Sequence, residues 1–242
     1  MTEAEPVISV RNLVKRFGDR AVLDGVDLDV YPGEVMVVMG GSGSGKSTLL
    51  RHMIRSIQPD EGQISLFGQN ICALDEESMN DVRRKFGVLF QSGALFNSMT
   101  VAENVALPLE IMGHAAAEQK ERISRTLEMV NLKGFEQKYP WQLSGGMQQR
   151  ASIARALAFD ADLLLMDEPF GALDALTRDT LQQELLSLKE KLTKTIVFVT
   201  HDIFEALTAA DRPYKRPTPL SRVHRILSSM VDAGELDPDI VS

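Results

Sequence analysis

Cysteine is almost absent from this sequence, because Cys72 is the only one among 242 residues. A single cysteine excludes an intramolecular disulfide framework and a metal site built from several thiolates. Basic residues are outnumbered as well: 26 Lys and Arg stand against 34 Asp and Glu, which gives a net charge of −8. This balance provides no broad basic surface, so we expect no nucleic-acid partner.

Long hydrophobic runs are also missing. Apolar runs such as residues 35–39 are far shorter than the roughly 20 residues that a membrane-spanning helix needs. The first ten residues, MTEAEPVISV, are acidic and lack the apolar core of a signal peptide. We therefore expect a cytosolic chain, which leaves open that it docks on a membrane protein.

The sequence does contain a regular alternation of strand and helix patterns. Short apolar or alternating runs predict strands at 8–10, 21–30, 35–39, 63–68, 87–90, 163–167 and 195–200. Helical patterns cover 47–56, most of 98–159 with a break at KYPWQ, and 175–192. This order predicts an α/β fold with a mixed, mainly parallel sheet, an N-terminal antiparallel β part, and an inserted α-helical subdomain at about 93–159.

A glycine-rich loop joins the third predicted strand to a helix and fits the P-loop pattern. Backbone N–H groups must approach phosphate oxygens closely there, so side chains must be small, and the positive end of the helix favours the anion. Lys46 can reach the β- and γ-phosphates, and the Ser47 hydroxyl can bind Mg²⁺. The predicted nucleotide-binding residues of this loop are Gly40, Gly41, Ser42, Gly43, Ser44, Gly45, Lys46, Ser47 and Thr48.

The run LLLMDE, residues 163–168, supplies a second part of a nucleotide site. Its apolar residues predict a buried strand that places Asp167 at the carboxyl end, where open α/β sheets bind ligands. We predict that Asp167 helps to hold Mg²⁺. Glu168 follows directly and is placed to polarise an attacking water, so we predict it as the catalytic base.

A second glycine motif, LSGGMQQR at 143–150, also predicts a helix start. With this motif, residues 7 to about 201 resemble the ATP-binding cassette family, whose signature is LSGG. The resemblance implies a P-loop NTPase core in which two subunits pair head to tail. Ser144, Gly145 and Gly146 would then contact the γ-phosphate of the ATP bound to the partner's P-loop. Met147 departs from the glutamine that is usual at the fifth position of the signature.

The resemblance also assigns roles to four further residues. Phe17, in VKRFG, would stack on the adenine, although a lone Phe is more often a core residue. Gln91, in LFQSG, would contact Mg²⁺ and the attacking water. Asp174, in GALD, would join the two ATP sites of the dimer, and His201 would contact the γ-phosphate. The implied cofactors are ATP and Mg²⁺, and the implied activity is ATP hydrolysis coupled to transport.

The stretch FQSGALFNSMTVAENVALPL, residues 90–109, bears on the transported substrate. It resembles ATPases that move phospholipid between bacterial membranes, the Mla-type and Mce-associated group. That resemblance implies a homodimer at the cytoplasmic face of the inner membrane, bound to an integral membrane permease and working with an MCE-type lipid-binding protein. The run DEPFGALDALTRDTLQQELLSL instead resembles ATPases that import nitrate, sulfonate or glycine betaine, so small-solute import is the alternative. A cassette without a transport role, or an inactive one, is a remote alternative.

The family resemblance fails after His201. Pro213, Pro217 and Pro219 lie where cassette ATPases have short strands, and residues 202–242 resemble the end of HD-type phosphohydrolase domains, including the HD-GYP group. The histidine and His-Asp ligands of that family are absent, so no metal site is predicted in this tail. We therefore expect an ATPase domain at 1–201 and an atypical tail at 202–242, either a fusion remnant or a divergent native ending.

Overall fold

The structure is a computed structural model that describes residues 5–90, 95–171, 173, 178, 180 and 194–201. Strands β1 (Ile8–Phe17) and β2 (Arg20–Val30) form an antiparallel pair, and β1 also pairs antiparallel with β4 (Glu61–Leu66). The short β5 (Gln69–Asn70) turns back and pairs antiparallel with β4. This four-stranded sheet is the predicted N-terminal antiparallel part.

The second sheet is parallel and contains β3 (Val35–Met39), β6 (Phe86–Leu89), β7 (Leu163–Asp167) and β8 (Thr195–Thr200) in the order β3-β8-β7-β6. Alternate residues of β7 face opposite cores: Leu163 and Leu165 pack towards the antiparallel sheet, whereas Leu164 and Met166 pack towards the helical part. A parallel sheet that is covered on both faces explains why its strands are continuous apolar runs. The α/β cassette fold class predicted from the sequence is confirmed.

The helical part between β6 and β7 contains α3 (Val101–Ile111), α4 (Ala116–Met129), a 3₁₀ turn at Pro140–Gln142, and α5 (Gly145–Leu157). Helix α3 begins with a capping box, in which Thr100 and Glu103 exchange hydrogen bonds. Helix α5 packs on α3, α4 and β6. The predicted break at KYPWQ is thus the 3₁₀ turn that precedes α5. Among the described residues, none of the helices has the length and apolar character needed to span a bilayer.

Helix α1 (Lys46–Met53) is shorter than the predicted helix at 47–56. It ends because Arg55 adopts a left-handed conformation, with φ of 55°. The Arg55 amide donates to His52 O and the Ser56 amide to Arg51 O, the two bonds of a Schellman motif. The end predicted from the sequence, at residue 56, is therefore too late. Helix α2 (Glu76–Arg83) was not predicted.

Candidate functional site

The loop between β3 and α1 has the shape of an anion cradle. At Gly45, φ is 95° and an added Cβ would lie 2.8 Å from the carbonyl oxygen of Val22, so only glycine fits without strain. At Gly40 an added Cβ would meet Ser44 Oγ at 2.6 Å. No side chain of the described residues caps the first turn of α1, and that turn contains no acidic residue. The positive end of the helix is therefore open to a phosphate.

Lys46 is folded into this loop and only 7% exposed. Its ammonium donates to the carbonyl oxygens of Gly40 and Gly41, the latter at 2.7 Å, and lies 3.4 Å from Ser44 Oγ. These contacts hold the positive charge inside the cradle, where the sequence prediction requires it. The loop thus combines a lysine, a helix N-terminus and small residues around one concavity.

Ser47 joins the cradle to the strand β7. Its hydroxyl donates to Asp167 Oδ1 at 2.8 Å, and Asp167 is the last residue of β7 and 8% exposed. Two adjacent hard oxygen donors at a phosphate cradle are the ligands that Mg²⁺ prefers. The residues present therefore fit the predicted metal.

Glu168 and His201 are also brought together. Glu168 Oε1 lies 3.4 Å from His201 Nδ1, and the Glu168 amide donates to Val199 O in β8 at 2.9 Å. Glu168 has a φ of 44°, which is unfavourable for a non-glycine residue. Such conformations concentrate at functional sites, where the surrounding structure enforces them.

Strand order explains this convergence. Parallel strands share one carboxyl edge, and β8 lies between β3 and β7. The P-loop after β3, the acidic pair at the end of β7 and His201 after β8 therefore meet at one edge, as open α/β sheets arrange their ligand sites. These residues come from three distant parts of the sequence.

The second glycine motif begins α5, as predicted. Ser144 caps the helix by accepting a hydrogen bond from the Met147 amide at 3.3 Å, and a Cβ added at Gly145 would meet no atom within 4 Å. Helix α5 contacts β6, whereas α1 contacts β7 and β8, and β6 and β3 are the outermost strands of the parallel sheet among the described residues. The two glycine motifs thus belong to different parts of the fold.

The remaining predicted residues have different outcomes. Phe17 ends β1 with 53% of its side chain exposed, and Lys15 Nζ lies 5.7 Å from its ring centroid, so it is not a core residue. Its contact with adenine stays a prediction. Gln91 and Asp174 lie outside the described residues, as do the predicted helix at 175–192, apart from 178 and 180, and the tail 202–242.

Gln149 and Trp141 belong to predicted motifs, but the sequence assigns neither of them a role. The amide of Gln149, in LSGGMQQR, donates to the carbonyl oxygen of Pro169. Trp141, which is 69% exposed, stacks on Tyr139 with ring centroids 5.9 Å apart, directly before the signature. The place of Gln149 on a helix that faces the core indicates a buried side chain. Nothing in the sequence indicates that Pro169 is its hydrogen-bond partner.

The comparisons with known proteins agree with this geometry. A family model described as ABC transporter matches residues 23–171. The glycine betaine transport ATP-binding protein OpuAA of Bacillus subtilis is 46% identical over 203 residues, which are 84% of this chain and 49% of that protein. The sulfate/thiosulfate import ATP-binding protein CysA of Synechocystis is 44% identical over 204 residues, which are 84% of this chain and 56% of that protein. The chain spans about half the length of these relatives.

A solved structure with the same architecture is the dimeric structure of MJ0796, a bacterial ABC transporter cassette. It is 38% identical, has a TM-score of 0.74, and the match covers 82% of this chain and 90% of that one. A second structure of MJ0796, with the same TM-score and identity, is a dimeric post-hydrolysis state bound to ADP and Pi.

Proposed function

The chain belongs to the ABC transporter family, and from that premise we propose that it is the ATP-hydrolysing subunit of a small-solute importer. The observation that carries the ATPase assignment is the hydrogen bond between Ser47 and Asp167, at 2.8 Å. This bond joins the phosphate-binding loop to Asp167 at the end of β7. Together these two parts are the minimum needed to bind a magnesium nucleotide.

Within one chain, the cradle binds the triphosphate. Lys46 turns its ammonium from the Gly40 and Gly41 carbonyls to the phosphate oxygens, and the open N-terminus of α1 contributes its N–H groups. Phe17 offers an exposed ring to the adenine. Ser47 and Asp167 would hold Mg²⁺, which would supply positive charge to offset the negative charge of the triphosphate.

Glu168 accepts a proton from the attacking water. Its carboxylate lies next to His201, whose imidazole is proposed to orient it and to contact the γ-phosphate. The strained backbone at Glu168 fixes the direction of the carboxylate before the substrate arrives, and a preorganised base loses little on reaching the transition state. Gln91 is proposed to assist at the metal and Asp174 to connect the two sites.

The second glycine motif is proposed to act on a partner subunit. MJ0796 is a dimer, and its post-hydrolysis state contains ADP and Pi. We infer a similar homodimer here, in which Ser144, Gly145 and Gly146 close over the γ-phosphate held by the partner's cradle. The different locations of α5 and α1 in the fold support this arrangement, since each chain presents two half-sites.

The relatives favour small-solute import over the phospholipid movement suggested by residues 90–109. OpuAA is a glycine betaine transport protein, and CysA is a sulfate/thiosulfate import protein. We therefore propose a permease for a small polar or charged solute as the membrane partner, to which the chain binds peripherally at the cytoplasmic face. OpuAA and CysA are named for the transport of small solutes, which supports neither an Mla-type assignment nor an MCE-type partner.

Phosphate release by the purified chain tests the ATPase assignment. Lys46→Ala is expected to abolish ATP binding and hydrolysis, because it removes the charge inside the cradle. Lys120→Ala, an exposed lysine of α4, is the matched control and keeps both activities. Tight ATP binding by Lys46→Ala would contradict the cradle assignment.

Reconstitution tests the substrate class. The tagged chain is used to isolate its integral membrane partner, and the complex is placed in liposomes with ATP. ATP-dependent accumulation of glycine betaine or sulfate supports the proposal. Transfer of a fluorescent phospholipid without solute accumulation would favour the lipid alternative instead.

The division of the chain into an ATPase domain at 1–201 and a tail at 202–242 remains a proposal. The similarity of the tail to HD-type phosphohydrolases finds no support among the compared relatives. A chain ending at residue 201 that hydrolyses ATP like the full chain would support the boundary, and an inactive, folded one would oppose it.

A further inference from the structure

We propose that Gln149 is a positioning residue for Glu168, because it ties α5 to the turn that carries this carboxylate. Its side-chain amide donates to the carbonyl oxygen of Pro169, the residue directly after Glu168. The inference rests on the proposed function, in which Glu168 is the base.

The Gln149 side chain is buried, with 7% exposure, and Pro169 is buried as well. A buried carbonyl that loses its donor carries a desolvation penalty, so the turn has a strong preference for keeping this contact. Gln149 is therefore more than a space-filling residue of α5.

The turn at 168–171 is also held by bonds within itself and by contacts with β8. The Gly171 amide donates to Glu168 O at 3.2 Å, and the Glu168 amide donates to Val199 O at 2.9 Å. Phe170, 1% exposed, packs edge-on against Phe198 with ring centroids 6.5 Å apart. The Gln149 side chain adds a hydrogen bond between this turn and helix α5 of the helical part. A residue strained at φ of 44° keeps its conformation only while such anchors hold.

The same helix carries the second glycine motif. Ser144 caps α5, and Gln149 lies in its second turn. The neighbouring Gln148 donates to Pro140 O at 3.0 Å and Leu143 O at 3.3 Å, and so fixes the loop before the signature. One helix thus holds the signature on one side and the Glu168 turn on the other. Engagement of Ser144 with the partner's ATP would in this way be transmitted to the chain's own base.

Two substitutions test this positioning. Gln149→Met and Gln149→Leu remove the donor without adding a titratable group, and the second remains informative if the first fails to fold. The control is Thr126→Val in α4, because Thr126 is 1% exposed and donates to Arg122 O at 2.6 Å. It loses a comparable buried bond that does not reach the turn.

We expect kcat for ATP to fall about 10²-fold in the Gln149 variants, because a misplacement of about 1 Å can cost that much. KM for ATP should stay close to that of the wild type, and Thr126→Val should keep kcat. Equal kcat values in the Gln149 and Thr126 variants would overturn the proposal, since the loss would then be only structural.

A double-mutant cycle with Glu168→Gln completes the test. If Gln149 acts through Glu168, adding Gln149→Met to Glu168→Gln lowers kcat no further. Losses that multiply would show that Gln149 acts elsewhere and would overturn the inference. Full activity of Glu168→Gln alone would instead refute the proposed function, so the two failures are distinguishable.

Discussion

Glu168 Oε1 lies 3.4 Å from Nδ1 of His201, and the two residues follow the neighbouring strands β7 and β8. The backbone of Glu168 is bonded to β8 as well, through Val199. Two contacts therefore orient the carboxylate: the hydrogen bond from the Glu168 amide to β8, and the contact with the imidazole of the residue that follows β8. Both members of the pair depend on one strand for their relative position.

The first prediction concerns hydrolysis by Glu168→Gln. This variant should bind ATP like the wild type and hydrolyse it on the order of 10²–10⁴ times more slowly, because an amide cannot accept the proton of the attacking water. Binding of a fluorescent ATP analogue and phosphate release measure the two quantities. Size-exclusion chromatography should show an ATP-bound dimer. Unchanged turnover would remove Glu168 from the role of base.

The second prediction concerns the strain at the same residue. Glu168→Gly should be more stable than Glu168→Ala by about 1 kcal/mol, because only glycine adopts the left-handed conformation without a steric cost. Both variants lose the carboxylate, so both should lose hydrolysis. Urea unfolding gives the free-energy difference between them. An alanine variant as stable as the glycine variant would mean that this backbone conformation stores no strain.

The third prediction tests composite sites. Ser144→Arg alone and Lys46→Ala alone should each abolish hydrolysis in homodimers. Mixing the two proteins should restore part of it, because in the mixed dimer both defects fall on one site and the other remains whole. Phosphate release at varied mixing ratios measures the recovery. If every ratio remained inactive, head-to-tail pairing would be contradicted.

The fourth prediction concerns pH. His52, on α1, is 1% exposed, and burial lowers its pKa below the usual 6.5, although Nδ1 donates to Thr48 O. The unfolded chain therefore takes up a proton at a higher pH than the folded chain. Stability should fall as the pH drops from about 6.5 towards the folded pKa, and the His52 contribution should be constant above that window.

His52→Gln provides the comparison, because glutamine can donate a hydrogen bond but does not titrate. Melting temperatures of the two proteins between about pH 7.5 and 5 should diverge on the acid side, with the variant showing the flatter curve. Parallel curves would mean that His52 does not titrate differently in the folded chain.

The sequence predicted the residues of the candidate site more accurately than it predicted the ends of the helices. The P-loop and the acidic strand end carry their chemistry in consecutive residues, so Lys46, Ser47 and Asp167 could be located without a structure. Helix α2 was missed because Glu76–Arg83 is mostly polar, and only Met79 and Val82 are buried. Its N-cap, Asp75, was nevertheless a visible signal.

Contacts between distant segments could not be predicted. The end of α1 depends on a left-handed Arg55, a conformation that arginine rarely adopts and that its residue type does not indicate. The bond between Gln149 and Pro169 depends on how α5 packs over the sheet, which is decided by many side chains together. Strained residues such as Glu168 are likewise enforced by their surroundings rather than by their own preference.

Trp141, stacked on Tyr139 just before the signature, is the only tryptophan of the chain. Its exposed ring is therefore a natural fluorophore that reports on one place alone. Emission from the exposed ring should be red-shifted and accessible to acrylamide in the separate subunit. When a second subunit closes over this region, a blue shift and weaker quenching would follow. Subunit closure can thus be timed by stopped-flow fluorescence without attaching a dye.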